Sequence, residues 1–185
     1  MRALKRIFAV AVLLFLIAAA ADTQQKQMSD SEYMAQALSA APEAVAKGAA
    51  VVRMEKSGSM RTLRKGGNGF TCVMMRTDGK GKGMCNDTVA MEFIDAWMKH
   101  MPPPDKEGIS YMLNGDNGSS NTDPYATSKT ADNHWIVTGP HIMVVGPPNK
   151  TLGLTRAQDA DPSKPYIMFA GTPYEHAMIP VAPTK

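Results

Sequence analysis

Two short phrases, GPHIMV at residues 139–144 and EHAMIP at 175–180, each place a histidine two positions ahead of a methionine. In an extended strand, residues i and i+2 share a face. His141 with Met143, and His176 with Met178, would then each present an imidazole and a thioether on one side. Brought together, the two pairs make an N2S2 set suited to copper, with the thioethers favouring Cu(I). Packing competes with this reading: methionine fills irregular core gaps readily, and the chain carries 15 of them.

The same histidines also suit acid–base work. A general-base imidazole needs a carboxylate to orient it, and Asp116, Asp123 or Glu175 are available, with Ser119 and Ser120 as nearby hydroxyls. No G-x-S-x-G elbow or H-E-x-x-H helix is present, however. Glu175 and His176 are adjacent, so on a strand they point to opposite faces. The spacing assembles no triad.

A third reading is a non-catalytic pocket for a small-molecule ligand, built on loops. The segment DNGSSNTDPYATSKTADN (116–133) is long for a connection without structure of its own, which is a mark of binding loops. Its Asn, Asp, Gly and Ser also satisfy local turns. The EF-hand pattern fails, because Tyr125 stands where position 12 counted from Asn114 requires glutamate. The residues placed around such a site are Asp116, Asn121, Asp123, His134, His141, Tyr174, Glu175 and His176. Tyr125 and Tyr174 sit in turn contexts and are expected at the surface, whereas Trp135 lies among alternating apolar residues and is expected in the core.

These side chains need a scaffold. A helix should begin at Ser29, where S-x-x-E with Glu32 completes a capping box, and end before Pro42. Residues 49–55, 60–65 and 69–76 read as an antiparallel meander with turns at KSGS and GGN. Residues 77–83 form a glycine-rich loop without the strand–GxxxxGK[ST]–helix context of a phosphate cradle. A second helix spans 86–101, capped by Asn86 or Asp87. Ala90, Phe93, Ile94, Trp97, Met98 and Met101 form its apolar stripe, and Asp95–Lys99 is an i,i+4 pair. Lys99 and His100 suit its C-terminal dipole. Strands follow at 108–115, in NHWIVTGP (133–140) and HIMVVGP (141–147), and across both halves of PYIMFAGTPYEHAMIPV. Short strands, two helices and long loops define an α+β domain on an antiparallel sheet.

The first residues bear on compartment. Arg2, Lys5 and Arg6 precede a fifteen-residue apolar run that ends in alanines, the pattern of a secretory signal peptide over residues 1–21. The alternative, a retained anchor, needs about 20 apolar residues. Residues 22–28 read as a flexible lead-in to a single domain at 29–185. Without the leader, 17 basic residues face 17 acidic ones, which gives no general attraction for nucleic acid. The basic run across 53–82 would be either an anion-binding face or a solvated strand face. Cys72 and Cys85 fit an oxidising compartment as a disulfide, and together these features predict a periplasmic or secreted protein.

The phrases NGFTC (68–72), MCND (84–87), GISYMLNGDNGSSNTDP (108–124), WIVTGPHIMVV (135–145) and PYIMFAGTPYEHAMIPV (165–181) resemble, as an ensemble and in this order, a family of uncharacterised bacterial secreted proteins. The resemblance covers roughly residues 45–181. It implies a shared fold and export, and it carries no catalytic residue or ligand with it.

Overall fold

Ser29 caps the first helix as its sequence requires. Its hydroxyl accepts from the Glu32 N–H while the Glu32 carboxylate accepts from the Ser29 N–H, so two otherwise orphaned amides are satisfied reciprocally. The computed structural model describes residues 28–75 and 81–182; the expected signal peptide at 1–21 and residues 77–80 of the expected glycine-rich segment lie outside them. Helix α1 (Asp30–Leu38) buries Tyr33 and Ala37. A short α2 (Glu43–Ala46) follows directly after Pro42. Proline, expected only to end a helix, here precedes one, because its missing N–H costs nothing at a helix start.

The described residues form ten strands: β1 (Ala50–Met54), β2 (Met60–Arg64), β3 (Thr71–Met74), β4 (Gly83–Asn86), β5 (Gly108–Met112), β6 (Ser119–Ser120), β7 (Trp135–Ile136), β8 (His141–Val145), β9 (Tyr166–Met168) and β10 (His176–Pro180). Eight of them form one sheet in the order β2-β1-β3-β4-β5-β8-β10-β9, and β6 pairs with β7 separately. The α+β class expected from sequence is what the chain adopts. The meander is corrected in one respect: β1 and β2 form an antiparallel hairpin, but β3 lies parallel to β1 on its other side. The GGN segment is therefore a crossing over the end of β1 and not a hairpin turn. A Cβ on Gly66 would stand 2.1 Å from the Ala50 nitrogen, so only glycine lets the two backbones pass this closely. The Gly67 N–H donates to Gly48 O, and Ala50 N–H to Phe70 O.

The period-2 alternation of the strands divides the sheet into two faces. On one face α1 packs through Tyr33 and Ala37 against Val51, Met74 and the Cys72–Cys85 disulfide. The two cysteines are directly opposed partners on β3 and β4. Helix α3 (Thr88–Met98) covers the other face, with Ala90, Phe93 and Ile94 turned inward. Asp87 is its N-cap, accepting from Ala90 N–H. Asn86 belongs to the preceding strand. The helix stops at Met98, and His100 adopts a left-handed backbone (φ 56°). Its ring stacks on Tyr125 at 4.0 Å, a contact that sequence spacing alone did not indicate. The Lys99–Asp95 pair forms at 2.7 Å.

Three residues of the basic run serve the scaffold. Arg53 and Arg61 pair with Asp30, Arg61 also with Glu55, and Arg64 donates to the Ala46 and Ala49 carbonyls. Among the described residues no helix is long and apolar enough to cross a membrane.

Candidate functional site

The register on the α3 side decides which side chains meet. Asn86 on β4 opposes Ser110 on β5; Ser110 opposes Met143 on β8; Met143 opposes Met178 on β10. One row of side chains thus runs across four strands, polar at one end and thioether at the other. Met112 opposes His141 in the row alongside. His176 opposes Val145 and Met168 on the far side of the methionine pair.

Between this face and α3 lies a cavity of about 300 Å³, at the lower end of the range for small-ligand sites. Met84, Met112, Met143, Met168 and Met178 wall it from the sheet, Phe93, Ile94 and Trp97 from the helix, and Phe169 from the end of β9. Pro124 and Ala126 of the 116–133 loop reach its rim, held there by the Trp97 indole N–H donating to Pro124 O at 3.0 Å.

Polar atoms stand out against this apolar wall. The Asn86 carboxamide nitrogen and oxygen, the Ser110 hydroxyl and the His141 Nε2 are all buried without a hydrogen-bond partner. Each such atom costs about 1–3 kcal/mol of uncompensated desolvation. Four on one face of one cavity is a concentration that folded proteins otherwise avoid.

Both cavity histidines are oriented in the same way. The Nδ1 of His141 lies 2.7 Å from Gly139 O, and that of His176 lies 2.9 Å from Tyr174 O. A carbonyl only accepts, so each Nδ1 carries the proton and each neutral ring keeps an Nε2 lone pair. Burial lowers the His141 pKa below its ordinary value, against the Gly139 hydrogen bond and the Asp116 charge. Burial likewise brings His176 down to about 4, so it is neutral near pH 7. Its ring packs at a steep angle against both Phe93 and Phe169. Burial raises the Asp116 carboxyl, opposed by N–H donors from Thr138 and Gly118 and by His141.

Of the candidate site residues singled out in the sequence, Asp116, Ser119, His141, Met143, His176 and Met178 line the cavity. The others lie outside it and hold loops. Asn121 is buried and its side-chain nitrogen donates to the Ala157 and Gln158 carbonyls, while its backbone carbonyl accepts from the Phe169 N–H. Phe169, a bulky residue with φ 55°, is thereby fixed in a conformation that costs roughly 1–2 kcal/mol. Asp123 accepts from Tyr125 N–H. His134 pairs with Asp159 at 2.8 Å, away from the cavity. Burial acting alone would raise the Glu175 carboxyl, but the Gly171 N–H and Arg156 outweigh it and hold it below the ordinary value.

Tyr174 is only 5% exposed. It packs edge-on to Phe93 and donates its hydroxyl to Met101 O, so the surface position expected for it is corrected. A turn residue can face inward when the turn itself folds over a helix end. Tyr125 is exposed. Trp135 is half-buried and lies over Gly118, where a Cβ would come within 2.0 Å of the indole nitrogen.

Sequence reasoning missed Asn86 and Ser110. Asn86 is, with Asp87, one of two cap candidates in the sequence, yet its alternation with Cys85 is the available signal: if the disulfide faces α1, the next residue must face α3. Ser110 sits in GISYM, where a small polar residue occupies an inward position between Gly108 and Met112.

His141 Nδ1 is engaged by a backbone carbonyl, and neither its Nε2 nor the Ser110 hydroxyl has a partner, so these groups form no hydrogen-bonded relay. Ser120 Oγ donates to Asn133 O. Among the described residues no three His, Cys, Asp or Glu side chains converge to hold a metal. No family model matches the chain, and comparison with curated proteins and with solved structures also finds no match.

Proposed function

We propose that this is an exported, non-catalytic binding protein that takes a small ligand into the cavity between the sheet and α3. The ligand is mainly apolar with one hydrogen-bonding end. The observation that carries this reading is the group of four unpartnered polar atoms at Asn86, Ser110 and His141 within a methionine-lined wall. Such atoms are satisfied by a ligand or by ordered water, and the largely apolar surroundings favour a ligand. The carboxamide offers a donor and an acceptor, the hydroxyl both, and the imidazole Nε2 an acceptor. The basic leader with its apolar run, and the disulfide, support a periplasmic or extracellular site of action.

The test uses N-phenyl-1-naphthylamine, an uncharged fluorophore that brightens in apolar surroundings. The full chain should enhance its emission saturably. Met143→Phe, which fills the cavity from a half-buried position, should abolish the enhancement while the folded far-UV spectrum is retained. No saturable enhancement by the wild type, or equal enhancement by the filled variant, would discard the cavity as a binding site.

A further inference from the structure

The cavity contains a more specific constellation than its general character requires. His141 is directly opposed by Met112 on β5, and Met143 lies two residues along its own strand. Met178 opposes Met143 from β10. Directly opposed residues on one face have Cβ atoms about 4.5–5.5 Å apart, and diagonal neighbours lie about 7–8 Å apart. One imidazole and three thioethers therefore project from a single small patch of sheet into the same cavity. His176 is less well placed to join them. It lies four register positions from His141 along the paired strands, about 13 Å at 3.3–3.4 Å per residue, and its ring packs against two phenylalanines.

We propose that His141 Nε2 and the sulfurs of Met112, Met143 and Met178 form a site for one Cu(I) ion. Two independent observations support it besides proximity. His141 is fully buried and its Nε2 has no partner, so a lone pair is held without any use within the fold. Its Nδ1–H is fixed on the Gly139 carbonyl, which is the way a metal-ligating imidazole is held by its outer neighbours.

The donor set selects the ion. Thioethers are soft ligands that suit Cu(I), whereas magnesium, calcium and manganese prefer oxygen, and zinc sites are built from thiolate, imidazole and carboxylate. All four donors are neutral, so a monovalent ion brings less charge into the low-dielectric interior than a divalent one. Asp116, lining the same cavity, is the nearby acidic group. Binding needs no change in oxidation state and no proton transfer, since the lone pair is already free.

This inference rests on the cavity being a binding site, and the experiment separates the two. The full chain is titrated with Cu(I) under anaerobic reducing conditions, in competition with a chromogenic Cu(I) chelator. One equivalent should be withheld from the chelator. The triple variant Met112→Leu/Met143→Leu/Met178→Leu keeps side-chain volume close to native. It should lose affinity by more than ~100-fold, beyond what loss of an outer-shell partner costs, and still brighten the naphthylamine probe. Met98→Leu, outside the cavity, should change neither readout. X-ray absorption of the loaded wild type should show mixed sulfur and nitrogen neighbours. Probe binding without Cu(I) binding, or Cu(I) retained by the triple variant, would overturn the metal site and leave the cavity reading standing. Failure of the probe as well would remove both.

Discussion

Ser110 illustrates how far a single side chain can depart from what folding alone would choose. Its hydroxyl is fully enclosed on a central strand and bonds to nothing, although an alanine there would carry no desolvation cost. Ser110→Ala is therefore expected to stabilise the ligand-free protein, by on the order of 1 kcal/mol, read as a higher urea midpoint with an unchanged denaturant slope. A drop of that size instead would mean the hydroxyl has a partner in solution and would take it out of the polar end of the cavity. Stability given up at such positions is the usual sign of a site kept for function. The thioethers beside it were visible as H-x-M phrases, but their neighbour Met112 entered the set only through strand register.

At the scale of elements, α1 is tied to the edge hairpin by charge as well as by packing. The Arg61 hydrogen bond, with Arg53 beside it, holds the Asp30 carboxyl at about 2, against an ordinary value of 3.8. With the folded value below the unfolded one, the ion pair contributes fully above about pH 4 and is lost as pH falls towards 2. The pair is exposed, so its contribution is small. Wild type should exceed Asp30→Asn in urea midpoint at pH 6, and the gap should close by pH 2. A gap independent of pH would mean that the ion pair is not its source. The capping box, α3 and the strands carrying His141 and His176 were legible because each depends on local chemistry or period. The parallel placement of β3 beside β1 was not, since no local pattern distinguishes a hairpin turn from a chain crossing a strand end. The choice between Asn86 and Asp87 as the cap was open for a related reason: strand end and helix cap are adjacent here, and both residue types suit a cap.

For the molecule as a whole, the Cys72–Cys85 bridge joins neighbouring strands in the core under α1, on the face opposite the cavity. Closing a loop of this length should stabilise by about 3 kcal/mol on the chain-entropy argument. Cys72→Ala/Cys85→Ala should lower the guanidinium unfolding free energy by about that amount while probe uptake by the folded fraction persists. Simultaneous loss of uptake in protein that still shows native near-UV signals would mean that the two sheet faces are coupled more tightly than their separate packing implies. The central position of β4 and β5, which contribute to both cores, is the physical route by which such coupling would travel.

The amino-acid sequence alone determined the class of fold, the first helix and its cap, the pairing of the cysteines, and which two strands carry imidazole and thioether on one side. These follow from short-range chemistry and from periods of two and 3.6 residues. Only the tertiary structure decided that Asn86 and Ser110 join them, that Tyr174 and Asn121 serve the scaffold, and that His176 sits four register positions from His141 on the same cavity. Those facts depend on strand order and register, which are set by long-range pairing and by the helix that closes over the sheet.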